Sequence, residues 1–169
     1  MNDQIVTIEQ IKEEHILGYH QAVDMVAREK KYLARIQGPP LESAQAFAKE
    51  NIQNGNAHIV AIANGIVVGW CDIVPMKKDT FSHCGVLGMG VVADFRGQGI
   101  GQKLIKAALQ RAKENGLEKV ELEVFHTNTN AISLYEKMGF VVEGRKRREA
   151  KLEGQYLDCI EMALFMNES

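Results

Sequence analysis

A glycine-rich segment between an apolar strand pattern and an amphipathic helix pattern constrains this 169-residue chain most. It reads Arg96-Gly97-Gln98-Gly99-Ile100-Gly101, and apolar residues recur at helical spacing after it as far as Ala112. Glycine lets the backbone turn sharply and lie against a ligand. The unpaired N–H groups at the start of a helix suit a phosphate or a pyrophosphate. The segment therefore predicts a strand–loop–helix unit, which serves either as an anion site or as an ordinary tight connection.

The spacing of the glycines separates this segment from two familiar phosphate-binding loops. A P-loop follows the pattern GxxxxGK[ST], and no Lys-Ser or Lys-Thr pair follows Gly101. A dinucleotide-binding loop follows GxGxxG, which the sequence GQGIGQ does not supply. The kinase, NTPase and dehydrogenase interpretations are weakened, and a nucleotide-binding module unrelated to coenzyme A stays as a rival hypothesis.

The other patterns predict one mixed α/β sheet. Asn64-Gly65, between two apolar runs rich in β-forming residues, predicts an antiparallel hairpin with a type I′ turn. Glycines inside the strand predicted for 82–92 indicate a bulge or a close approach of another chain segment. Strands are predicted at 5–8, 58–63, 66–74, 82–92, 119–125 and in two segments between 140 and 166. Helices are predicted at 15–31, 41–54, 100–115 and 131–138, the last capped by Thr129 or Asn130.

Composition and charge exclude several classes of protein. The chain is 46% hydrophobic with a formal net charge of -2, which predicts a single domain over 1–169 and no general attraction to nucleic acid or membrane. Its three cysteines form no CxxC pair, so we expect no disulfide framework, no metal site and a cytoplasmic location. The basic run 145–148 lacks interleaved aromatic residues and favours a solvated hairpin edge over a nucleic-acid site.

Two separated motifs resemble the GNAT superfamily of acetyl-CoA-dependent N-acetyltransferases. The first is the glycine-rich segment, with Arg96, Gly99 and Gly101 after a Gly-Val-Val strand end. The second comprises Asn128, Ala131, Leu134, Tyr135, Lys137, Gly139 and Phe140. The resemblance implies a mixed, mostly antiparallel, twisted central sheet that is flanked by helices and splayed between two central strands. It also implies acetyl-CoA as co-substrate and no metal.

The resemblance further implies where coenzyme A lies. Its pyrophosphate is expected over the loop 96–101, and its pantetheine arm beside the preceding strand. A bulge near 89–91 is expected to part this strand from the one that ends at Phe125, and an N–H near Val91 to hold the developing oxyanion. The expected cofactor-binding residues are Val91, Val92, Arg96, Gly97, Gln98, Gly99, Ile100, Gly101 and Asn128.

Tyr135 is the residue that the resemblance assigns to catalysis, as hydrogen-bond donor or general acid to the departing thiolate. Full proton transfer from a tyrosine to a thiolate is uphill by about 2 kcal/mol at ordinary pKa values, which favours hydrogen-bond donation. The competing interpretation is a core tyrosine, because Tyr135 shares a helix face with apolar residues. Cys84 and His83 point to opposite faces of a strand, which argues against a covalent mechanism.

The acceptor amine must be neutral to react, and the residue that deprotonates it stays open. The strand 82–92 contains no carboxylate, although many GNAT relatives place one there. His126, His83 and Glu123 are the candidates, each with the alternative of an ordinary surface side chain.

The expected reaction is direct transfer of an acetyl group to a primary amine. The acceptor is a small molecule such as a polyamine or an amino acid, or a protein N-terminus. The alternative is an acyl-CoA-binding sensor without turnover, and the resemblance makes a homodimer plausible.

Overall fold

The computed structural model describes residues 4–166, and its strands form one seven-stranded sheet in the order β1-β2-β3-β4-β5-β7-β6. Neighbouring strands run antiparallel except β4 and β5, which run parallel. The strands are β1 Val6–Gln10, β2 Ala57–Ala63, β3 Ile66–Pro75, β4 Cys84–Val91, β5 Lys119–Phe125, β6 Val141–Leu152 and β7 Gln155–Phe165. The helices are α1 Ile16–Arg28, α2 Leu41–Asn54, α3 Ile100–Glu114 and α4 Thr129–Lys137. The predicted fold class is confirmed, and the ends of the predicted domain 1–169 lie outside the described residues.

Helices cover both faces of the sheet. On one face, Tyr19 of α1 packs edge-on against the rings of His58 and Trp70, with centroids 4.6 and 6.1 Å away. On the other face, α3 lies so close to β3 that a Cβ on Gly69 would stand 3.1 Å from a methyl carbon of Leu104. We call these the α1 face and the α3 face. Alternate residues of β3 consequently belong to different faces.

The hairpin of β2 and β3 turns where the sequence predicts. Asn64 and Gly65 have φ values of 51° and 76°, as a type I′ turn requires. The register shifts by one residue between Ala61 and Ile62, where β3 carries the extra residue. This bulge places Asp72 directly opposite His58.

The sheet opens between β4 and β5. These strands pair only from Cys84 to Val86 on β4, whereas β4 continues beside β3 to Val91 and β5 continues beside β7 to Phe125. The expected splaying is present, but the bulge expected near 89–91 is wrong, because the register with β3 is unbroken along β4. The opening arises instead because the two strands diverge to different partners. We call it the β4–β5 gap.

The glycines of β4 make room for side chains of β3 that lie close to them, and they do not form a bulge. A Cβ on Gly90 would lie 2.3 Å from ring carbon Cη2 of Trp70, far inside contact distance. A Cβ on Gly88 would lie 3.6 Å from a carboxylate oxygen of Asp72. Two larger side chains of β3 thus lie over the bare backbone of β4 on the α1 face.

The end of the first helix and the cap of the last differ from prediction. The first helix ends at Arg28 rather than residue 31, because Lys30 takes a left-handed φ of 54°. The cap of α4 is Asn128 rather than Thr129 or Asn130, since the Asn128 side chain accepts a hydrogen bond from the Ala131 N–H. Within 4–166, no helix is both long and apolar enough to span a membrane.

Candidate active site

The glycine loop exposes its backbone at the start of α3. Gly97 and Gly99 have positive φ values of 76° and 78°, and a Cβ on either would meet no atom within 4 Å. Helix α3 begins at Ile100, and no side chain among the described residues caps it. Its first N–H groups lack intrahelical partners, and the helix dipole adds partial positive charge there. The loop therefore offers open main-chain donors to an anion.

Arg96 is engaged by the protein itself. Its Nη1 donates to Glu29 Oε1 at 3.0 Å, its Nη2 donates to the other oxygen of that carboxylate, and its Nε donates to the Val91 carbonyl at 2.8 Å. The guanidinium also lies 4.7 Å from the centroid of the Tyr32 ring. These contacts tie the end of α1 to the loop after β4, so the side chain of Arg96 fixes the loop rather than standing free for a phosphate.

The peptide groups of β4 alternate between β3 and the β4–β5 gap. Val92 donates its N–H to the Val68 carbonyl at 2.9 Å, which sets the even-numbered residues toward β3. The backbone N–H groups of Met89 and Val91, at odd positions, point toward the gap, where β5 no longer pairs with β4. Val91 keeps its predicted place as a free N–H donor, and Met89 joins it. Val92, also expected to bind the cofactor, has its N–H engaged by the Val68 carbonyl of β3.

Tyr135 lies buried on the α3 face, 7% exposed, with its ring centroid 5.8 Å from that of Phe140. Burial, and to a smaller extent the nearby thiol of Cys71, raises the pKa of its hydroxyl above the ordinary value. The phenol therefore stays protonated at neutral pH and can donate a hydrogen bond. It lies near Cys71 of β3, which is the strand next to β4.

Of the remaining predicted cofactor contacts, three belong to the loop and the start of α3, and Asn128 lies at the start of α4. Gln98 is exposed, and its amide Nε2 donates to the Asp94 carbonyl at 3.4 Å. Ile100 buries its side chain in the core and leaves only its backbone for a ligand. A Cβ on Gly101 would lie 3.1 Å from a methyl carbon of Leu134, so this side of the residue is already covered. Asn128 uses its Oδ1 as the cap of α4, which leaves its amide Nδ2 as the group for a ligand.

The three candidate bases are poorly placed for proton abstraction. His126 accepts the Asp158 N–H on its Nδ1 at 2.9 Å, which anchors it to β7. His83 is exposed and lies at the closed end of the β4–β5 pair, where its carbonyl accepts from Glu118. Glu123 is exposed and forms an ion pair with Lys146 at 2.5 Å. Of the three, Glu123 alone lines a groove together with Leu87 of β4, and its carboxylate is held there by Lys146.

The sequence analysis did not identify two buried polar residues on the α1 face as candidate functional residues. Asp72 is 8% exposed and His58 is fully buried. Burial raises the pKa of the Asp72 carboxyl to about 7, since neither a hydrogen bond nor a cation from residues 4–166 offsets it. Burial lowers the pKa of His58 to about 4, so its ring is neutral. The signal available in the sequence was an acid within the apolar run Gly-Trp-Cys-Asp-Ile-Val.

The thiols are unsuited to nucleophilic catalysis. Cys71, Cys84 and Cys159 are free and buried. Burial raises the pKa of each thiol, which lowers the thiolate fraction. This arrangement agrees with direct transfer to the acceptor.

An acidic groove of about 460 Å³ lies beside the narrow end of the β4–β5 gap and includes Val86 and Leu87. Four glutamates line it, and two lysines form ion pairs with them: Lys119 with Glu121 and Glu143, and Lys146 with Glu123 and Glu161. Hydrogen bonds to these carboxylates raise the pKa of both lysines, which keeps them protonated. Four carboxylates against two ammonium groups leave the groove net negative.

Comparisons with known proteins agree with this geometry. A profile of the Acetyltransferase (GNAT) family matches residues 21–140. An L-amino acid N-acetyltransferase of Escherichia coli is 32% identical over 111 residues, which cover 64% of this chain and 68% of that protein. N-alpha-acetyltransferase 30 of Dictyostelium discoideum is 35% identical over 112 residues, which cover 64% of this chain and 57% of that protein.

A solved structure is similar over almost the whole fold. It is a GNAT superfamily phosphinothricin acetyltransferase from Sinorhizobium meliloti in complex with acetyl-CoA. The TM-score is 0.90 at 16% identity, and the match covers 97% of this chain and 90% of that one. At this identity the likeness is one of fold.

Proposed function

The chain belongs to the acetyltransferase (GNAT) family and is an acetyl-CoA-dependent N-acetyltransferase, and we propose that its acceptor is a primary amine on a molecule that carries further positive charge. One observation carries the proposal: the unpaired edge of β4 runs from an acidic groove at Val86 and Leu87 toward the open glycine loop that follows Val91. Acetyl-CoA supplies an activated acetyl group, and the described residues fit its two polar parts.

In this proposal the glycine loop and the β4–β5 gap bind different parts of acetyl-CoA. The backbone of Gly97, Gly99, Ile100 and Gly101 binds the pyrophosphate, since the glycine positions are open and the helix start is uncapped within 4–166. The N–H groups of Met89 and Val91 bind the pantetheine arm and the carbonyl oxygen as a substitute strand would. The side chains of Arg96 and Gln98 shape the loop, and Asn128 offers its amide Nδ2 to the arm.

Tyr135 is proposed as the hydrogen-bond donor to the departing thiolate. Its raised pKa supports donation of a hydrogen bond and argues against complete proton transfer. Its hydroxyl makes no hydrogen bond that lowers this pKa, which leaves the donor for a ligand.

The acidic groove supports a cationic acceptor. Its net negative charge, close to the start of the β4–β5 gap, attracts an amine that carries a second ammonium group. A polyamine has this character, and so does a peptide with a free N-terminus followed by basic residues. The relatives named above are an L-amino acid N-acetyltransferase and an N-alpha-acetyltransferase by their names, which supports an amine acceptor without choosing among these.

A panel of amines tests the proposal. Purified protein with acetyl-CoA is offered spermidine, alanine, propylamine and a short peptide with a free N-terminus and a lysine at its second position, and release of free CoA thiol is followed. We expect kcat/KM to be highest for spermidine or the basic peptide, and to fall at least tenfold in Glu161→Gln but not in the exposed control Glu114→Gln. Binding of acetyl-CoA without amine-dependent thiol release would support a sensor instead. A preference for propylamine would contradict the cationic acceptor alone.

The expectations about domain organisation, cellular location and oligomeric state stay proposals. Residues 1–169 form a single domain, supported by the continuous sheet within 4–166. The protein works in the cytoplasm, supported by three free thiols. A homodimer is testable by sedimentation.

A further inference from the structure

An acceptor amine needs a base in this site. An alkylammonium group with a pKa near ~10.4 is less than about 0.1% neutral at pH 7. No carboxylate lies on β4 itself, where Gly88 and Gly90 face the α1 side. The four glutamates of the acidic groove beside Leu87 are engaged in ion pairs with Lys119 and Lys146. A base free of such ion pairs must therefore be a side chain that reaches over β4 from another neighbouring element.

Asp72 is the carboxylate that does so. It is paired with Gly88 across β3 and β4, and its two oxygens stand 3.6 and 3.7 Å from the point where a Cβ of Gly88 would lie. Gly88 follows Leu87, which lines the acidic groove, and precedes Met89, whose peptide faces the β4–β5 gap. The absent side chain of Gly88 thus leaves Asp72 beside the residues proposed to bind the thioester.

The groups that face Asp72 do not neutralise it. From β2, His58 accepts a hydrogen bond on Nδ1 from the Asn51 amide at 3.1 Å, and Asn56 orients that amide through its oxygen. His58 is therefore neutral with its proton on Nε2, and that N–H meets no acceptor among the described residues.

The groups that face Asp72 from α1 and from β4 do not form an ion pair with its carboxylate either. From α1, the buried Tyr19 hydroxyl has a raised pKa, owing to burial and then to Asp72, with a smaller opposing effect of Arg35 from the following loop. From β4, glycine alone faces it. No hydrogen bond to the Asp72 carboxylate is found among the described residues, and the residue keeps 8% of its surface exposed, so its oxygens can accept a proton from a ligand.

We infer that Asp72 is the general base that removes a proton from the acceptor's ammonium group. The inference rests on the proposed function and names a residue for a step that function requires. Its pKa near 7 suits a base that works at neutral pH, strong enough to accept the proton and still ionised in about half of the molecules.

The chemistry balances as follows. One proton passes from the ammonium nitrogen to a carboxylate oxygen of Asp72 and is later released to solvent. The freed lone pair forms the C–N bond to the acetyl carbon while the C–S bond breaks. The second nitrogen proton ends on the sulfur of the departing thiol, beside the Tyr135 hydroxyl on the opposite face of the sheet. Asp72 and Tyr135 thus serve the incoming and the departing group from opposite faces.

The test compares Asp72→Asn with the wild type and with Asp79→Asn, an exposed carboxyl in the connection between β3 and β4. Each protein is assayed by thiol release from acetyl-CoA with the best acceptor of the panel above, from pH 6 to pH 9.5, and its affinity for acetyl-CoA is measured by calorimetry. We expect kcat of Asp72→Asn to fall about 100-fold or more at pH 7 with unchanged acetyl-CoA affinity. Its kcat/KM should then rise about tenfold per pH unit as solvent deprotonates the amine, whereas the wild type levels off above pH 7.

Each contrary outcome has a separate meaning. A wild-type pH profile in Asp72→Asn would overturn the inference, and so would an equal loss at every pH, which would make Asp72 a positioning residue. A wild type that releases no thiol with any amine would overturn the proposed function and this inference together. Activity in the wild type and in Asp79→Asn shows that a loss in Asp72→Asn concerns Asp72 alone.

Discussion

The unpartnered carboxylate of Asp72 makes a quantitative prediction about stability. Burial raises the pKa of Asp72 to about 7, from 3.8 in an unfolded chain, and the difference of roughly three pKa units corresponds to about 4 kcal/mol. Because the folded protein binds this proton more tightly, the favourable contribution is complete below pH 4 and is lost as the pH rises to 7. The figure is an upper bound, since water that reaches a buried charge lowers its cost.

Replacing Asp72 with asparagine removes this pH dependence. We expect Asp72→Asn to match the wild type in free energy of unfolding near pH 4 and to exceed it by up to about 4 kcal/mol at pH 8. His58 acts in the opposite direction: its pKa is lowered to about 4, so its contribution is present above pH 6.5 and lost as the pH falls to 4. The two slopes offset one another in the wild type, and the variant should therefore show a steeper loss of stability toward acid pH.

Urea unfolding at half-unit intervals between pH 4 and pH 8 provides the measurement, with Asp79→Asn as the exposed control. The quantity to plot is the difference between variant and wild type, in which the effect of His58 largely cancels. A difference that does not change with pH would refute the reasoning. Lower stability of the variant at pH 8 would show that the carboxylate has a stabilising partner.

Three further substitutions test the site and the packing of β4. Gly99→Val should weaken acetyl-CoA binding at least tenfold by calorimetry, whereas Gly116→Val, with a similar positive φ and equally open space, should cost only stability. Tyr135→Phe should lower kcat about 10- to 100-fold in the thiol-release assay with acetyl-CoA affinity nearly unchanged, and an equal loss of affinity would make the tyrosine structural. Gly90→Ala should lower the free energy of unfolding by about 2 kcal/mol or more, since its Cβ would overlap an indole ring at 2.3 Å, and Gly88→Ala should lower it less.

Local signals in the sequence account for the glycine loop and its flanking elements. Asn64-Gly65 needs two positive φ values, and Gly97 and Gly99 have them as well, so these turns depend on a few adjacent residues. The periodic apolar face of α3 was equally visible, and the strand 119–125 was predicted at its observed bounds. These features were predictable because near neighbours in sequence determine them.

The groups that complete the site depend on distant pairings. From the turn alone, His58 would lie opposite Cys71, and the bulge after Ala61 brings Asp72 there instead. Arg96 meets Glu29 across 67 positions of sequence, a pairing that no local pattern indicates. The divergence of β4 from β5 likewise depends on the strands beyond them. The sequence could indicate a phosphate loop, but not which carboxylate lies over Gly88 of β4.

A crystal structure of the protein with coenzyme A bound tests the central claim most directly. The account predicts diphosphate oxygens within about 3.2 Å of the main-chain nitrogens of Ile100 and Gly101, and the thiol sulfur in the β4–β5 gap within hydrogen-bond reach of the Tyr135 hydroxyl. A diphosphate bound elsewhere, or a sulfur on the far side of β4 from Tyr135, would contradict it.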